Sequence, residues 1–253
     1  MNDATWRKLP PGEAISYFRQ KINLPSTTWQ DIWREANNWA FQVAGVTKAQ
    51  LLNDLRESVD KSIADGTTLE EFRQNFDSIA AKHGWAYNGN RNWRSAVILE
   101  TNIQTAYAAG RYRQMTQPEV LSARPYWQWR HGGSIEPRPL HQEWDGLILR
   151  ASDPWWETHY PPCGFGCKCK VFSFSERELQ GREPDTAPNN GTYQWTDSRG
   201  NTHTLPNGVD PGWNYAPGAS LPQQRQQILR NTLSQLPEAL RRQVEDDINS
   251  DQG

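Results

Sequence analysis

At Thr116-Gln117-Pro118 the sequence changes its period, and this change limits the fold more than any other feature. Before it, apolar residues recur three and four positions apart; after it, short aromatic and β-branched runs alternate with Pro/Gly turns. The expected fold is therefore α+β. A helical N-terminal module covers 1–116, and a small mixed α+β domain at 117–180 carries a metal-stapled loop region and packs on the helix at 92–115. A linker with a β-hairpin follows at 181–221, and a C-terminal helical tail at 222–253. At 253 residues the chain can bury a core without covalent staples.

Helix signals fill the first half. A short helix at 13–21 follows the Pro10-Pro11-Gly12 breaker. Ser26-Thr27-Thr28 announces a second, in which Trp29, Ile32, Trp33, Ala36, Ala40 and Phe41 form one stripe ending near Gly45. A third, at 48–64, aligns Leu51, Leu52, Leu55, Val59 and Ile63 and stops at Asp65-Gly66. Thr67-Thr68-Leu69-Glu70 opens a fourth, with Leu69, Phe72, Phe76 and Ile79 repeating up to His83-Gly84. The longest pattern, 92–115, carries Trp93, Val97, Ile98, Ile103, Ala106, Ala109 and Tyr112. On it Glu100, Thr101, Asn102, Arg111 and Arg113 are either a solvated face or polar groups that fix the helix against the next domain.

Beyond residue 117, strands are expected within 125–130, 147–150 and 170–174. Thr192 to Thr196 and Thr202 to Leu205 pair as a hairpin across Asp197-Ser198-Arg199-Gly200. The last helix, after Pro222, is broken before Pro237 and resumes through Leu240, Val244 and Ile248, with frayed final residues.

A net charge of −2 with acids and bases intermixed gives no global pull toward nucleic acid or an anionic membrane. The first eleven residues lack a basic-then-apolar leader, and no run approaches the roughly 20 apolar residues that cross a bilayer. The expected setting is a cytosol. Abundant tryptophan points to a core built on aromatic bulk.

All three cysteines fall between 163 and 169, which suits metal ligation better than a disulfide framework. His141, Asp145, Asp153, His159, Cys163, Cys167 and Cys169 lie within one short stretch. Thiolate and imidazole are the donors zinc prefers, and a structural zinc could tie together a loop-rich segment with little core. Cys167, Cys169 and His141 are the first choices as ligands; Cys163, His159, Asp145 or water would complete the set. Against this stands a simpler reading, in which Cys167 and Cys169 alternate across a strand running on through Val171 and Phe174. A metal-dependent or thiol hydrolase is the rival function, with His141 or His159 as base and Asp145 as orienter. A third reading puts Arg111, Arg113, Arg124 and Arg130 on DNA phosphates. Trp127/Trp129 and Trp155/Trp156 are read as packing around the cluster. Phosphate-cradling, dinucleotide-binding, nucleophile-elbow and His-Glu-x-x-His motifs are absent from the sequence.

An ordered series of motifs resembles the phage Mu F-like minor head proteins. It includes Leu99-Glu100-Thr101-Asn102, Thr105-Ala106-Tyr107 and Gly110-Arg111-Tyr112 on the long helix. Arg124-Pro125-Tyr126-Trp127, Arg138-Pro139-Leu140-His141, Gly146, Asp153-Pro154-Trp155-Trp156, Tyr160-Pro161-Pro162 and Gly166-Cys167-Lys168-Cys169 follow in order. Leu9-Pro10-Pro11-Gly12-Glu13-Ala14 and Asp210-Pro211-Gly212-Trp213-Asn214-Tyr215-Ala216-Pro217-Gly218 extend the likeness over most of the chain. The resemblance implies a non-enzymatic head-morphogenesis or minor capsid protein of a tailed phage or prophage. Its partners would be the portal and the major capsid or scaffold proteins, with transient DNA contact during packaging or delivery and no membrane. It would be found in the virion head and, during assembly, in the host bacterial cytoplasm. The same resemblance marks Glu100, Asn102, Arg111, Arg138 and Asp153 as structural or interaction residues. Lys168 stands where the family often has Arg and Cys163 where it has Asn, so His141, Cys167 and Cys169 form the safer ligand set.

Overall fold

The computed structural model describes residues 11–134 and 136–250. The expectations for Leu9-Pro10, for a leader-free start and for fraying at 251–253 lie wholly or largely outside the described residues.

Four helices of the first half form where the apolar period runs: α1 (Gly12–Arg19), α2 (Ala49–Asp65), α3 (Leu69–His83) and α4 (Arg91–Met115). Gly66 closes α2 in the left-handed conformation. Thr68 and Glu71 cap each other at the start of α3, with Glu71 N donating to Thr68 Oγ1 at 3.2 Å and Thr68 N to Glu71 Oε2 at 2.6 Å. Asn90 caps α4 by accepting from Trp93 N at 2.8 Å. Their apolar faces meet in one core holding Tyr17, Leu52, Leu55, Val59, Phe72, Phe76, Leu99 and Ala106.

The helix expected at 26–45 is not there. Asp31 Oδ2 accepts from the backbone amides of both Thr27 (2.7 Å) and Thr28 (2.9 Å), a capping arrangement that no α-helix follows. Arg34 then takes a positive φ of 51°, and a short 3-10 turn over Arg34–Asn38 leads into β2. Strand β1 (Ile22–Asn23) pairs with β2 (Ala40–Phe41) in parallel. The three-four spacing serves other partners: Trp29 and Trp33 lie against Trp195, at 5.8 and 5.3 Å between ring centres. Ile32, Ala36 and Ala40 pack with Leu24, Leu236 and Val244.

In the second half β3 (Tyr126–Arg130) runs antiparallel between β4 (Ile148–Arg150) and β5 (Lys170–Phe174). Alternation along β3 sends Trp127 and Trp129 into one core, and Tyr126 to the other face with Ile148 and Leu179. Three short helices escape the sequence pattern: α5 (Pro118–Ala123), α6 (Pro139–Glu143) and α7 (Trp155–His159). Proline at the first position preorganises α5 and α6, each too short to display a period. Strands β6 (Thr192–Thr196) and β7 (Thr202–Pro206) form the expected hairpin. Helices α8 (Arg225–Gln235) and α9 (Glu238–Ser250) flank the expected break before Pro237.

The aromatic core of this half contains Trp127, Trp129, Trp144, Trp155, Trp156, Tyr160 and all three cysteines. Helix α4 belongs to both cores. Ile98, Leu99, Ala106 and Ala109 face the helical lobe, whereas Met115 sits in the aromatic core with Ala108 and Tyr112 packed against it.

Candidate metal centre

His141 lies on α6, buried between tryptophans: its ring stacks on Trp144 at 5.3 Å and meets Trp129 edge-on at 5.4 Å. Its Nε2 is 2.7 Å from the Gly208 carbonyl oxygen. A carbonyl only accepts, so Nε2 carries the proton and Nδ1 presents its lone pair. That lone pair faces Cys167 Sγ at 3.8 Å and Cys169 Sγ at 3.6 Å, and all three ligand atoms lie within 4.8 Å of one another. A tetrahedral zinc with Zn–S ~2.3 Å and Zn–N ~2.0 Å separates sulfur from nitrogen by about 3.5 Å. The spacing and the chemistry of the donor set therefore fit zinc. An imidazole anchored through its other nitrogen to a backbone carbonyl is also the arrangement that metal-ligating histidines favour.

Two loop glycines make this geometry possible. Gly208 has φ of +87°, and a Cβ there would stand 2.3 Å from the Trp144 ring. At Gly132 a Cβ would lie 1.8 Å from the Lys168 carbonyl oxygen, so only glycine lets the end of β3 approach the Cys167–Cys169 segment. The Gly132 backbone also hydrogen-bonds Cys169 and favours its thiolate. Both cysteines precede β5 and both are buried beside His141, which replaces the reading of them as alternating strand positions.

Hydrogen bonding between the neighbouring thiols holds Cys167 well below the ordinary cysteine range and pushes Cys169 up. An ion that displaces the proton between them would meet two sulfur donors. Burial raises Cys163, whose thiol donates to the His159 carbonyl at 3.3 Å; the three-ligand group closes without it. Burial also drives His159 down to about 4, and its ring stacks flat on Trp155 at 4.4 Å.

The remaining residues singled out in the sequence are dispersed. Asp145 accepts from Arg130 Nε at 3.0 Å and His131 N at 2.9 Å, so it orients neither histidine of the hydrolase reading. Asp153 Oδ1 accepts from Trp155 N at 2.9 Å and starts α7. Arg138 pairs with Asp210 and donates to the Phe165 carbonyl at 3.2 Å, bracing the loop before Cys167. Asn102 Nδ2 donates to the Ile98 carbonyl, and the Arg111 guanidinium covers the Phe172 ring at 4.9 Å. Glu100 lines a narrow cleft with Cys167 and Lys168. Of the arginines suggested for DNA, Arg113 lies over Tyr17, Arg124 bonds Ser173 and Glu178, and Arg130 pairs with Asp145. Sequence reasoning missed Gly208 and Gly132, for which one chain carries no chemical signature, and the role of Trp144 as the ring beneath His141.

Residues 53–172 match the family described as Phage Mu protein F like protein. The chain is similar to the "Putative capsid assembly protein F" of Escherichia phage Mu, with 30% identity over 276 aligned residues covering 96% of this chain and 62% of that protein. It is also similar to the "Mu-like prophage FluMu F protein" of Haemophilus influenzae (strain ATCC 51907 / DSM 11121 / KW20 / Rd). There identity is 36% over 164 residues, covering 61% of this chain and 39% of the relative. The chain thus spans roughly three fifths of the first relative and two fifths of the second. No solved structure matches it.

Proposed function

We propose, from the premise that its residues 53–172 make this chain a Mu F-like protein, that it is a minor capsid protein acting in phage head morphogenesis. The observation carrying this reading is the alignment with the Mu capsid assembly protein, which runs through 96% of the chain rather than through one motif. The ordered motifs from Leu99 to Cys169 fall inside the residues 53–172 that match the family.

In this reading the work is structural. His141, Cys167 and Cys169 would hold a zinc ion whose chemistry is to cross-link α6 to the segment before β5. The braced lobe and the helical lobe would present separate surfaces to other head components: the portal, the major capsid or scaffold proteins and, transiently, DNA. Assembly would take place in the host cytoplasm and the product would be the virion head. Among the described residues no helix is long and apolar enough to cross a membrane. The hydrolase reading gains nothing from the geometry, since Asp145 faces Arg130 and His131.

The test is genetic. In the phage or prophage encoding the chain, its deletion is expected to abolish filled heads, with restoration by the wild-type gene. The wild-type chain is then expected to cosediment with heads. Normal yields of filled heads without the chain would overturn the proposal. A Cys167→Ser variant that assembles normally would remove the zinc cross-link and leave the head role standing.

A further inference from the structure

A cavity of about 620 Å³ opens between the helical lobe, the loop at Phe165 and the segment from Asp210 to Tyr215. Its wall is aromatic: Trp29, Trp93, Trp195, Trp213, Tyr215 and Phe165. Trp93 and Phe165 are 53% and 42% exposed, an unusual state for such large apolar side chains. Two basic residues, Lys21 and Arg94, also line it although they are only 5% and 9% exposed.

Each stands over an aromatic ring, Lys21 over Tyr17 at 5.0 Å and Arg94 over Trp85 at 5.5 Å, and each bonds backbone carbonyls. Lys21 Nζ donates to the backbone carbonyls of Asn37 and Ala40, and Arg94 Nη2 to that of Ala44. Among the described residues no carboxylate pairs with either one, and Arg94 Nε and Gln42 Oε1 have no hydrogen-bond partner. The single carboxylate in the lining, Asp210, is engaged by Arg138. A guanidinium whose charge no carboxylate balances is complementary to a carboxylate, and tryptophan with arginine is the composition of protein-binding hot spots.

We propose that this cavity receives a segment of another polypeptide, one that inserts an apolar side chain next to a glutamate or aspartate. Charge complementarity sets the acid, and the exposed Trp93 and Phe165 at the cavity set the apolar neighbour. A nucleic acid fits less well, because tracking a phosphate backbone needs a succession of cations along a groove and this lining holds, of basic residues, Lys21 and Arg94 alone among the described residues. The inference goes beyond the head-assembly reading and does not depend on it.

Calorimetric titration of the full chain tests it with the peptide Ac-Phe-Glu-Leu-Phe-NH2, its glutamine counterpart, 4-phenylbutyrate and a short oligothymidylate. The glutamate peptide is expected to bind at least about tenfold more tightly than the other three. Trp93→Ala, a substitution at an exposed position, is expected to weaken it by about tenfold with an unchanged melting temperature. Arg94→Met is expected to erase the preference for glutamate over glutamine. Equal binding of the two peptides, undiminished binding to W93A, or tighter binding of phenylbutyrate or oligothymidylate would overturn the proposal. Peptide preference and head association are scored separately: losing the first with normal heads defeats only the cavity assignment, and the converse defeats only the assembly reading.

Discussion

The hydrogen bond from His141 Nε2 to the Gly208 carbonyl decides which ring nitrogen is left for a metal, and so separates ligand residues from bystanders. Purified protein is expected to contain about one zinc per chain, which His141→Ala or Cys169→Ser removes. The melting temperature should then fall by roughly 10 °C, corresponding to about 3 kcal/mol or more. Cys163→Ala should keep the metal, because that thiol bonds the His159 carbonyl instead. Elemental analysis with calorimetry checks all three, and full zinc occupancy in the His141 variant would contradict the ligand assignment. Lys21 supplies a test in pH. Burial depresses it to about 7, so between there and its ordinary 10.5 the unfolded chain binds a proton that the folded chain does not. Its contribution to stability therefore rises with pH through that window and is at its lowest below about 7. Relative to Lys21→Met, the wild type should gain on the order of 3 kcal/mol between pH 7 and 9.5, read from urea unfolding at both values.

At the scale of elements, what the sequence disclosed follows from what local chemistry encodes. Helices α2, α3 and α4 were legible because the apolar period agrees with end signals: a left-handed glycine closes α2 and α3, and side chains cap the starts of α3 and α4. The stretch from Thr27 to Phe41 has the same period and no α-helix: Arg34 takes a positive φ of 51°, and the tryptophans lie against a hairpin more than 150 residues away. Periodicity records which side chains need burial without recording what buries them. The candidate centre divides in the same way. His141, Cys167 and Cys169 announce themselves by residue type; Gly132 and Gly208 act through what they lack, and only the folded chain reveals the contact. Gly132→Ala is accordingly expected to force β3 away from Lys168, lower stability by about 2 kcal/mol or more and weaken zinc retention against a chelator. An alanine variant with unchanged melting and zinc content would show that the approach of these two segments is not required.

For the whole molecule, the chain's far ends meet: Leu236 and Val244 of the C-terminal region pack on Leu24, Ile32 and Ala36. Val244→Asp would bury a carboxylate in that cluster and is expected to cost about 3 kcal/mol or more, detectable as a lower urea midpoint and faster amide exchange in α9. Normal protection of α9 in that variant would show that the packing is dispensable. Helix α4 has a broader consequence. Its 25 residues form a rod of about 38 Å, with one stretch sunk in the helical lobe and the other in the tryptophan-rich lobe. Swinging one lobe against the other means breaking the hydrogen-bonded ladder of a helix packed into both. A load applied to either lobe therefore travels along the rod to the other, as through a single strut.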